Sequence, residues 1–207
     1  MTPPRRKRRS QRTELRTVLL VTNGRVTENA YLQQLCRRVD RDRVSAKVKV
    51  INGDPLTVVK ELSGHRSDLS YYREVWIVVD HDGKDRQGFL DACRKVRGTR
   101  MVGIVSTPCF EVWLNAHYER VQKYRDQEDA KRHYARLTGL TGSAAKNLPK
   151  DFPYDAFPDA ARRCCLTGAT IPGANEQGPS PSTAVPRLLE RLGLLTNDPG
   201  DGRGVGL

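Results

Sequence analysis

The first 120 residues alternate between short runs of β-branched apolar residues and segments in which apolar residues recur with a helical period. Runs of the first kind predict strands, and they cover residues 17–22, 44–51, 74–80 and 102–106. The intervening segments place apolar side chains on one stripe, which predicts helices that pack on a sheet. Strands separated by helices pair in parallel through right-handed crossovers. The pattern therefore predicts an α/β fold with an open, mostly parallel sheet of about four strands.

Two of the predicted strands differ in how much of their surface they bury. Residues 75–79 are all apolar, which is typical of a strand covered on both faces. In residues 44–51, apolar side chains alternate with polar ones that include Lys47 and Lys49. This alternation predicts a strand with one solvated face, near an edge of the sheet.

The sequence divides into three parts at residues 16 and 120. Residues 17–120 carry the alternating pattern and are predicted to form the α/β core. Residues 121–207 are richer in charge, proline and glycine and end in an amphipathic segment. We expect them to form a helical and loop extension that packs on the core. Residues 1–16 are predicted to form a disordered basic tail.

The predicted tail carries half of the net charge of +12. Its seven basic residues face a single acidic one, and it has almost no apolar surface to bury. Such a segment is expected to bind a polyanion such as DNA or RNA through its phosphates. A solvated tail that only aids solubility is the alternative. The predicted nucleic-acid contacts of the tail are Arg5, Arg6, Lys7, Arg8 and Arg9.

The apolar runs are too short to cross a membrane, and no apolar stretch follows the basic N-terminus as it would in a signal peptide. We therefore expect a cytoplasmic protein with no membrane partner. The five cysteines are an odd number and lack paired C-x-x-C spacing. They are expected to be reduced thiols that are mostly buried.

Two carboxylates, Asp80 and Asp82, follow the most apolar strand. The carboxyl ends of such strands are where α/β sheets hold ligands, and two carboxylate oxygens suit a hard ion such as Mg²⁺ or Mn²⁺. A capped turn is the alternative, because Asp82-Gly83 is a common turn pair. Glu28, in the first turn of the first helix, also has two interpretations. It can take part in the site, or it can be a first-turn charge that the helix dipole favours.

A third acidic position, Glu111, follows the strand 102–106. Thr107 and Pro108 predict the start of a helix, because a hydroxyl at the cap and a proline in the first turn both suit a helix N-terminus. Glu111 would then lie near the strand ends, within reach of a metal. Trp113 and His117 fall on the apolar stripe of this helix and are predicted to be core residues.

These segments together resemble the RloB-like proteins, whose core resembles a Toprim domain. The resemblance rests on the strand with its Gly-Arg-Val-Thr-Glu turn, the Asp80-His81-Asp82 strand end, and the block from Ser106 to His117, which includes Pro-Cys-Phe-Glu. It implies a Mg²⁺-dependent (or Mn²⁺-dependent) phosphodiesterase that cuts DNA or RNA in phage defence. It also implies an ATPase as a possible protein partner.

The resemblance assigns roles to individual residues. Asp80, Asp82 and Glu28 would hold the metal, with Glu28 also able to relay a proton and Glu111 completing the catalytic carboxylates. Family members carry a Glu-Gly-Glu-x-Thr-Glu pattern in the first turn, where this chain has Asn23 and Arg25 in place of two acids. An amide and a guanidinium are suited to binding phosphate instead.

The two missing acids support an alternative function. The chain would then be a catalytically degraded Toprim-like subunit that binds nucleic acid or a protein partner without cutting. A nucleotide-binding α/β protein is a weaker alternative, because no glycine-rich phosphate loop follows any predicted strand.

Overall fold

The computed structural model describes residues 15–64 and 69–195, and an open five-stranded sheet is its centre. Two short 3₁₀ segments, Gly142–Lys146 and Tyr154–Ala156, lie in the second half. The other elements, in chain order, are β1 (Arg16–Thr22), α1 (Thr27–Arg38), β2 (Val44–Val50), α2 (Pro55–Gly64), β3 (Glu74–Asp80), α3 (Gln87–Lys95), β4 (Arg100–Thr107), α4 (Glu111–Ala116), α5 (Gln127–Thr138), α6 (Phe157–Arg163), β5 (Ser182–Thr183) and α7 (Val185–Leu192).

The strand order is β2-β1-β3-β4-β5, and the first four strands are parallel. The predicted α/β class and mostly parallel open sheet are confirmed, as is the edge position of β2. The fifth strand is an addition to the four that were predicted. Ser182 and Thr183 pair antiparallel with the end of β4, and two residues are too few to produce an alternating pattern in the sequence.

Helices cover both faces of the sheet, and alternate residues of each strand face opposite layers. One core lies under α1 and α4 to α7 and includes Leu20, Trp76 and Ile104. The other lies under α2 and α3 and includes Leu19 and Ile77. Because β3 is buried along six of its seven residues, its position in the sheet is tightly fixed.

An ion pair between β3 and α7 ties the end of the chain to the centre of the sheet. The Glu74 carboxylate is buried and accepts hydrogen bonds from Arg191 Nε at 2.8 and 2.9 Å and from Trp76 Nε1 at 2.9 Å. Burial alone would raise the pKa of Glu74, but the hydrogen bonds from Arg191 and Trp76 outweigh it and lower that pKa. The pair therefore favours the ionised carboxylate inside the fold.

One predicted helix start is wrong. Thr107 belongs to β4, where it pairs with Ser182, and its hydroxyl donates to the carbonyl of Gly178 at 3.4 Å. The following helix begins only at Glu111, after Phe110, and has no side-chain cap. Pairing with the unpredicted β5 thus keeps Thr107 in the strand.

His117 is a core histidine, as predicted. Its Nδ1 lies 3.0 Å from the carbonyl oxygen of Pro153 and its Nε2 lies 3.2 Å from the Tyr31 hydroxyl. A carbonyl only accepts, so Nδ1 carries the proton and Nε2 accepts from Tyr31. Burial lowers the pKa of His117 to about 4, because the charged ring would be poorly solvated. Trp113 is fully buried beside it.

The second half of the described chain packs on the sheet and on α4. Helices α5 and α6 contact α4, and α7 contacts β4. The division into tail, core and extension stays a prediction, and the predicted contacts Arg5 to Arg9 lie outside the described residues. All five cysteines are free thiols, four of them buried. Within residues 15–64 and 69–195, no helix is long and apolar enough to cross a membrane.

We predict that replacing His117 with Gln reduces the acid sensitivity of the fold. Since the pKa of His117 falls from 6.5 to about 4 on folding, the stability linked to it is present above pH 6.5 and is lost as the pH falls towards 4. The loss amounts to about 3 kcal/mol at 1.36 kcal/mol per pKa unit. Urea unfolding at pH 7.0 and 4.5 would measure it. Equal pH slopes in wild type and His117→Gln would contradict the prediction.

Candidate functional site

A cleft of about 680 Å³ opens at the carboxyl ends of the parallel strands, on the side of the sheet that α1 covers. Acidic side chains from four separate elements meet there with basic side chains, most of them from the second half of the chain. The charged residues that line it are Arg25, Glu28, Asp80, Glu111, Glu128, Lys131, Arg132 and Lys146.

Asp80 is the acid at the centre of this cleft. It is the last residue of β3 and faces the same layer as Trp76 and Val78. The backbone N–H of Phe110, in the turn after β4, acts on its carboxylate and lowers the pKa of Asp80. Burial raises the pKa of Asp80 well above its ordinary value, and the nearby charges of Glu28, Glu111 and Asp82 raise it further.

Glu28 enters the cleft from the first turn of α1 and its carboxylate lies against Gly24. A Cβ atom at position 24 would overlap the Glu28 carboxyl group, so only glycine leaves room for the carboxylate in this position. The Gly24 N–H donates to Thr22 Oγ1 at 2.9 Å, which fixes the turn. Burial raises the pKa of Glu28, and Glu111 and Asp82 add to the rise.

Glu111 is the third carboxylate of the cleft and stands in the first turn of α4. Its charge acts on the neighbouring Cys109 as well as on Glu28 and Asp80. Burial, followed by the charges of Glu111 and Asp80, raises the pKa of the Cys109 thiol. A protonated, buried thiol is a poor nucleophile, so Cys109 has no chemical role in this site.

Asp82 does not line the cleft, although its charge acts on Glu28 and Asp80. Its backbone has φ +52°, in the left-handed region, and its carboxylate forms an ion pair with Arg86 at 3.4 Å. Arg86 is buried and also contacts the Asp80 carbonyl through Nε at 2.9 Å and Asp54 at 3.5 Å. Asp80 and Asp82 therefore fan out around the turn, and only Asp80 lines the cleft.

Of the two residues that replace family acids, Arg25 lines the cleft and Asn23 does not. Arg25 Nε donates to Asn52 Oδ1 at 2.6 Å, which orients the guanidinium at the rim. Asn23 is half-buried in the preceding turn. The structure thus brings together Glu28, Asp80, Glu111 and Arg25 among the site residues that the sequence predicted.

Sequence reasoning missed the basic wall of the cleft. Lys131 and Arg132 come from α5, and Lys146 ends the first 3₁₀ segment. The backbone carbonyl of Lys146 accepts a hydrogen bond from the Thr27 hydroxyl at 2.6 Å. Burial lowers the pKa of Lys131, but the hydrogen bond to Glu128 and the charge of Glu111 outweigh it and raise that pKa. The charge-rich composition of residues 125–137 was a signal in the sequence, but it did not indicate which face points to the cleft.

A buried chain of hydrogen bonds positions α5 beside α4. Asn115 Nδ2 donates to the Tyr124 hydroxyl at 3.0 Å, and this hydroxyl lies 2.7 Å from His133 Nδ1. His133 Nε2 lies 2.8 Å from a Glu119 carboxylate oxygen, which can only accept. Asn115 therefore donates to Tyr124, Tyr124 donates to His133, and His133 donates to Glu119. It holds the helix that carries Lys131 against the helix that carries Glu111.

The donor chemistry of the cleft fits a hard divalent cation. Among the described residues, no Lys, Arg or His forms an ion pair with Glu28, Asp80 or Glu111. In the same part of the chain, no three His, Cys, Asp or Glu side chains are arranged so that they could hold an ion together. Mg²⁺ usually binds through one or two carboxylates and keeps several waters, so Asp80 with one neighbour is a suitable donor set.

In a comparison with family models, residues 18–192 match the family described as RloB-like protein. This span contains every cleft residue named above. Neither the comparison with curated proteins nor the comparison with solved structures gave a significant match.

We predict that Asp80→Asn stabilises the protein at neutral pH. Because the pKa of Asp80 is raised in the fold, the native state binds this proton more tightly than the unfolded chain, so stability is lost as the pH rises above 3.8. The amide removes that loss, with an expected gain of about 0.5–2 kcal/mol at pH 7, the usual range for one stabilising substitution.

Urea unfolding at pH 7.5 and pH 4.0, without divalent ions, measures this gain, which should shrink at the lower pH. Asp42→Asn, at an exposed turn, is the matched control and should change little. A less stable Asp80→Asn at pH 7.5 would contradict the electrostatic account.

Proposed function

The chain belongs to the RloB-like protein family, and we propose that its acidic cleft makes it a phosphodiesterase that cuts nucleic acid with Mg²⁺ or Mn²⁺. The observation that carries the proposal is the convergence of three half-buried carboxylates, none paired with a cation in the described chain, at the strand ends. Mutual repulsion of such groups costs stability, and a bound cation would relieve it.

The acids have separable roles in this proposal. Asp80, fixed by β3 and by the Phe110 N–H, is the principal ligand for the ion. The ion would supply charge neutralisation at the scissile phosphate and lower the pKa of a bound water. Glu28 has a raised pKa, which brings its proton exchange closer to neutral pH, so it is suited to carry a proton. Glu111 can bind the ion directly or through water.

The basic wall supports a phosphate-bearing substrate. Lys131, Arg132 and Lys146 line the same cleft as the acids. A phosphodiester has one negative charge for each linkage, so cations beside a metal site would bind and orient the backbone. Arg25, held by Asn52, has the planar donor group that binds phosphate oxygens in pairs. On family membership alone we add to the proposal a role in phage defence, with an ATPase as partner.

A second function remains a candidate because of one observation. Arg25 stands in the cleft at a position where the family pattern has an acid. A guanidinium there reduces the negative charge that a metal would meet and favours phosphate binding. The chain would then bind nucleic acid, or a partner that cuts it, without catalysis of its own.

We predict metal-dependent cleavage that disappears with the carboxylates. Purified protein should cut one or more of single- and double-stranded DNA and RNA with Mg²⁺ or Mn²⁺, and Glu28→Gln should slow the reaction about 10²–10⁴-fold, the usual contribution of a proton-transferring group. Gly24→Ala should also slow it, because the new methyl displaces the Glu28 carboxylate. Gel assays with labelled strands measure both effects.

Asp155→Asn, an exposed acid of the second 3₁₀ segment that lines neither the cleft nor any other groove described here, is the matched control and should cut at the wild-type rate. Thermal unfolding gives a second readout, since a divalent ion at 100 times its Kd should stabilise wild type by about 2.7 kcal/mol and stabilise Asp80→Asn far less. If wild type binds nucleic acid but neither cuts nor gains stability from either ion, the binding-subunit function is correct instead.

We also predict that deleting residues 1–14 weakens nucleic-acid binding without unfolding the rest. These residues contain six of the seven basic residues of the predicted tail. For duplex DNA, the salt slope should fall by about 0.9 for each phosphate that the shortened chain no longer neutralises. Affinity titrations at several salt concentrations measure the slope. An unchanged slope would make the segment a solvated tail only.

A further inference from the structure

A second groove lies on the opposite face of the sheet from the acidic cleft, beside the edge strand β2. It encloses about 620 Å³. Its floor is formed by the side chains of β1 and β2 that face away from α1, and one wall is formed by α2. It shares no lining residue with the cleft.

The groove exists because α2 does not cover the edge strand. On the other face, α1 packs directly on β2, whereas α2 packs against α3, nearer the middle of the sheet. Among the described residues, no helix packs closely on the side chains of Ser45, Lys47 and Lys49 on this face. In the described residues, no strand pairs with the outer edge of β2.

The lining of the groove combines two lysines, hydroxyl groups and two tyrosine rings with apolar side chains and one acid, Glu61. Lys47 and Lys49 are exposed and stand two positions apart, about 6.6 Å along the strand. Tyr71 is 78% exposed, which is unusual for so large an aromatic side chain. Thr17 and Ser45 add hydroxyls to the floor. Lysines beside an exposed ring are the arrangement by which proteins hold single-stranded nucleic acid, with phosphates on the cations and a base on the ring.

Two further observations favour a polyanion over a peptide. The arginine-rich residues 1–14 join the described chain at Leu15, and β1 starts at Arg16, beside Thr17 at this end of the groove. At its other end, β2 leads to Asn52, which holds Arg25 at the rim of the cleft. The lysines of β2 thus lie between the start of β1, where the arginine-rich segment joins the described chain, and Arg25 at the rim of the cleft.

We propose that the β2 groove is a binding site for single-stranded nucleic acid outside the cleft, with Lys47 and Lys49 contacting phosphates and Tyr71 stacking on a base. The proposal rests on the proposed function for the nature of the ligand, but the binding itself requires neither the metal nor cleavage. It implies that a strand engaged by the cleft continues over the edge of the sheet onto the opposite face.

The test is fluorescence anisotropy of labelled oligo-uridine and oligo-thymidine 15-mers with the full chain in EDTA, so that the probe stays intact. Tyr71→Ala should weaken binding about 5-fold or more, the effect of losing about 1 kcal/mol of stacking. Tyr71→Phe keeps the ring and should bind like wild type. The double variant Lys47→Ala/Lys49→Ala should lower the salt slope by about 1.4, from two phosphates at about 0.7 each for single strands.

Matched controls separate this site from general charge effects. Lys123→Ala/Lys150→Ala removes two exposed lysines outside the groove and should leave the affinity at physiological salt unchanged within about twofold, because weakly placed charges are screened there. Thermal unfolding of every variant should match wild type, since all the changed side chains are exposed. A 15-bp duplex should be insensitive to Tyr71→Ala, because its bases are already stacked.

The outcomes distinguish this inference from the proposed function. Loss of binding in the Tyr71 and lysine variants supports the groove even if no substrate is cut. Cleavage that depends on Asp80, together with unchanged single-strand affinity and salt slope in all the groove variants, would overturn the groove and leave the nuclease in place. The uridine and thymidine probes show whether RNA or DNA is preferred.

Discussion

The parallel pairing of β3 between β1 and β4 is the constraint on which the candidate site depends. Its interior position fixes the last residue of the strand, Asp80, to the carboxyl edge of the sheet. The strand ends on either side lead to Glu28 and Glu111, so two short connections bring three acids together. The turn after β4 also carries the Phe110 N–H, which lowers the pKa of Asp80 against the effects of burial and of the other acids.

The cleft and the core follow opposite rules for buried charge. In the core, the buried Glu74 carboxylate receives hydrogen bonds from Arg191 and Trp76, and its ionised form is favoured. In the cleft, Glu28 and Asp80 are partly buried beside other acids, and their ionised forms are disfavoured. The first arrangement is structural. The second is poorly suited to stability and well suited to binding a cation, which is why it marks a candidate functional site.

Much of the fold followed from the sequence because its strands are long enough to show a period. Residues 74–80 and 44–51 were recognisable as central and edge strands from their apolar patterns alone. The two-residue β5 is too short to show a period, so the sequence did not predict it. The pairing with β5 that keeps Thr107 in β4 could therefore not be predicted either. The acids of the cleft follow strands or begin helices and were therefore predictable, whereas its basic wall depends on the rotation of α5, which only tertiary packing fixes.

The order in which the cleft is completed along the chain has a consequence during synthesis. The three carboxylates are all present once residue 111 has been translated, but Lys131, Arg132 and Lys146 come later. A nascent chain that has released residues 1–120 from the ribosome thus has the acids without the wall that would hold a polyanion beside them. The acids and the basic wall therefore come together in one cleft only after residue 146 has been translated.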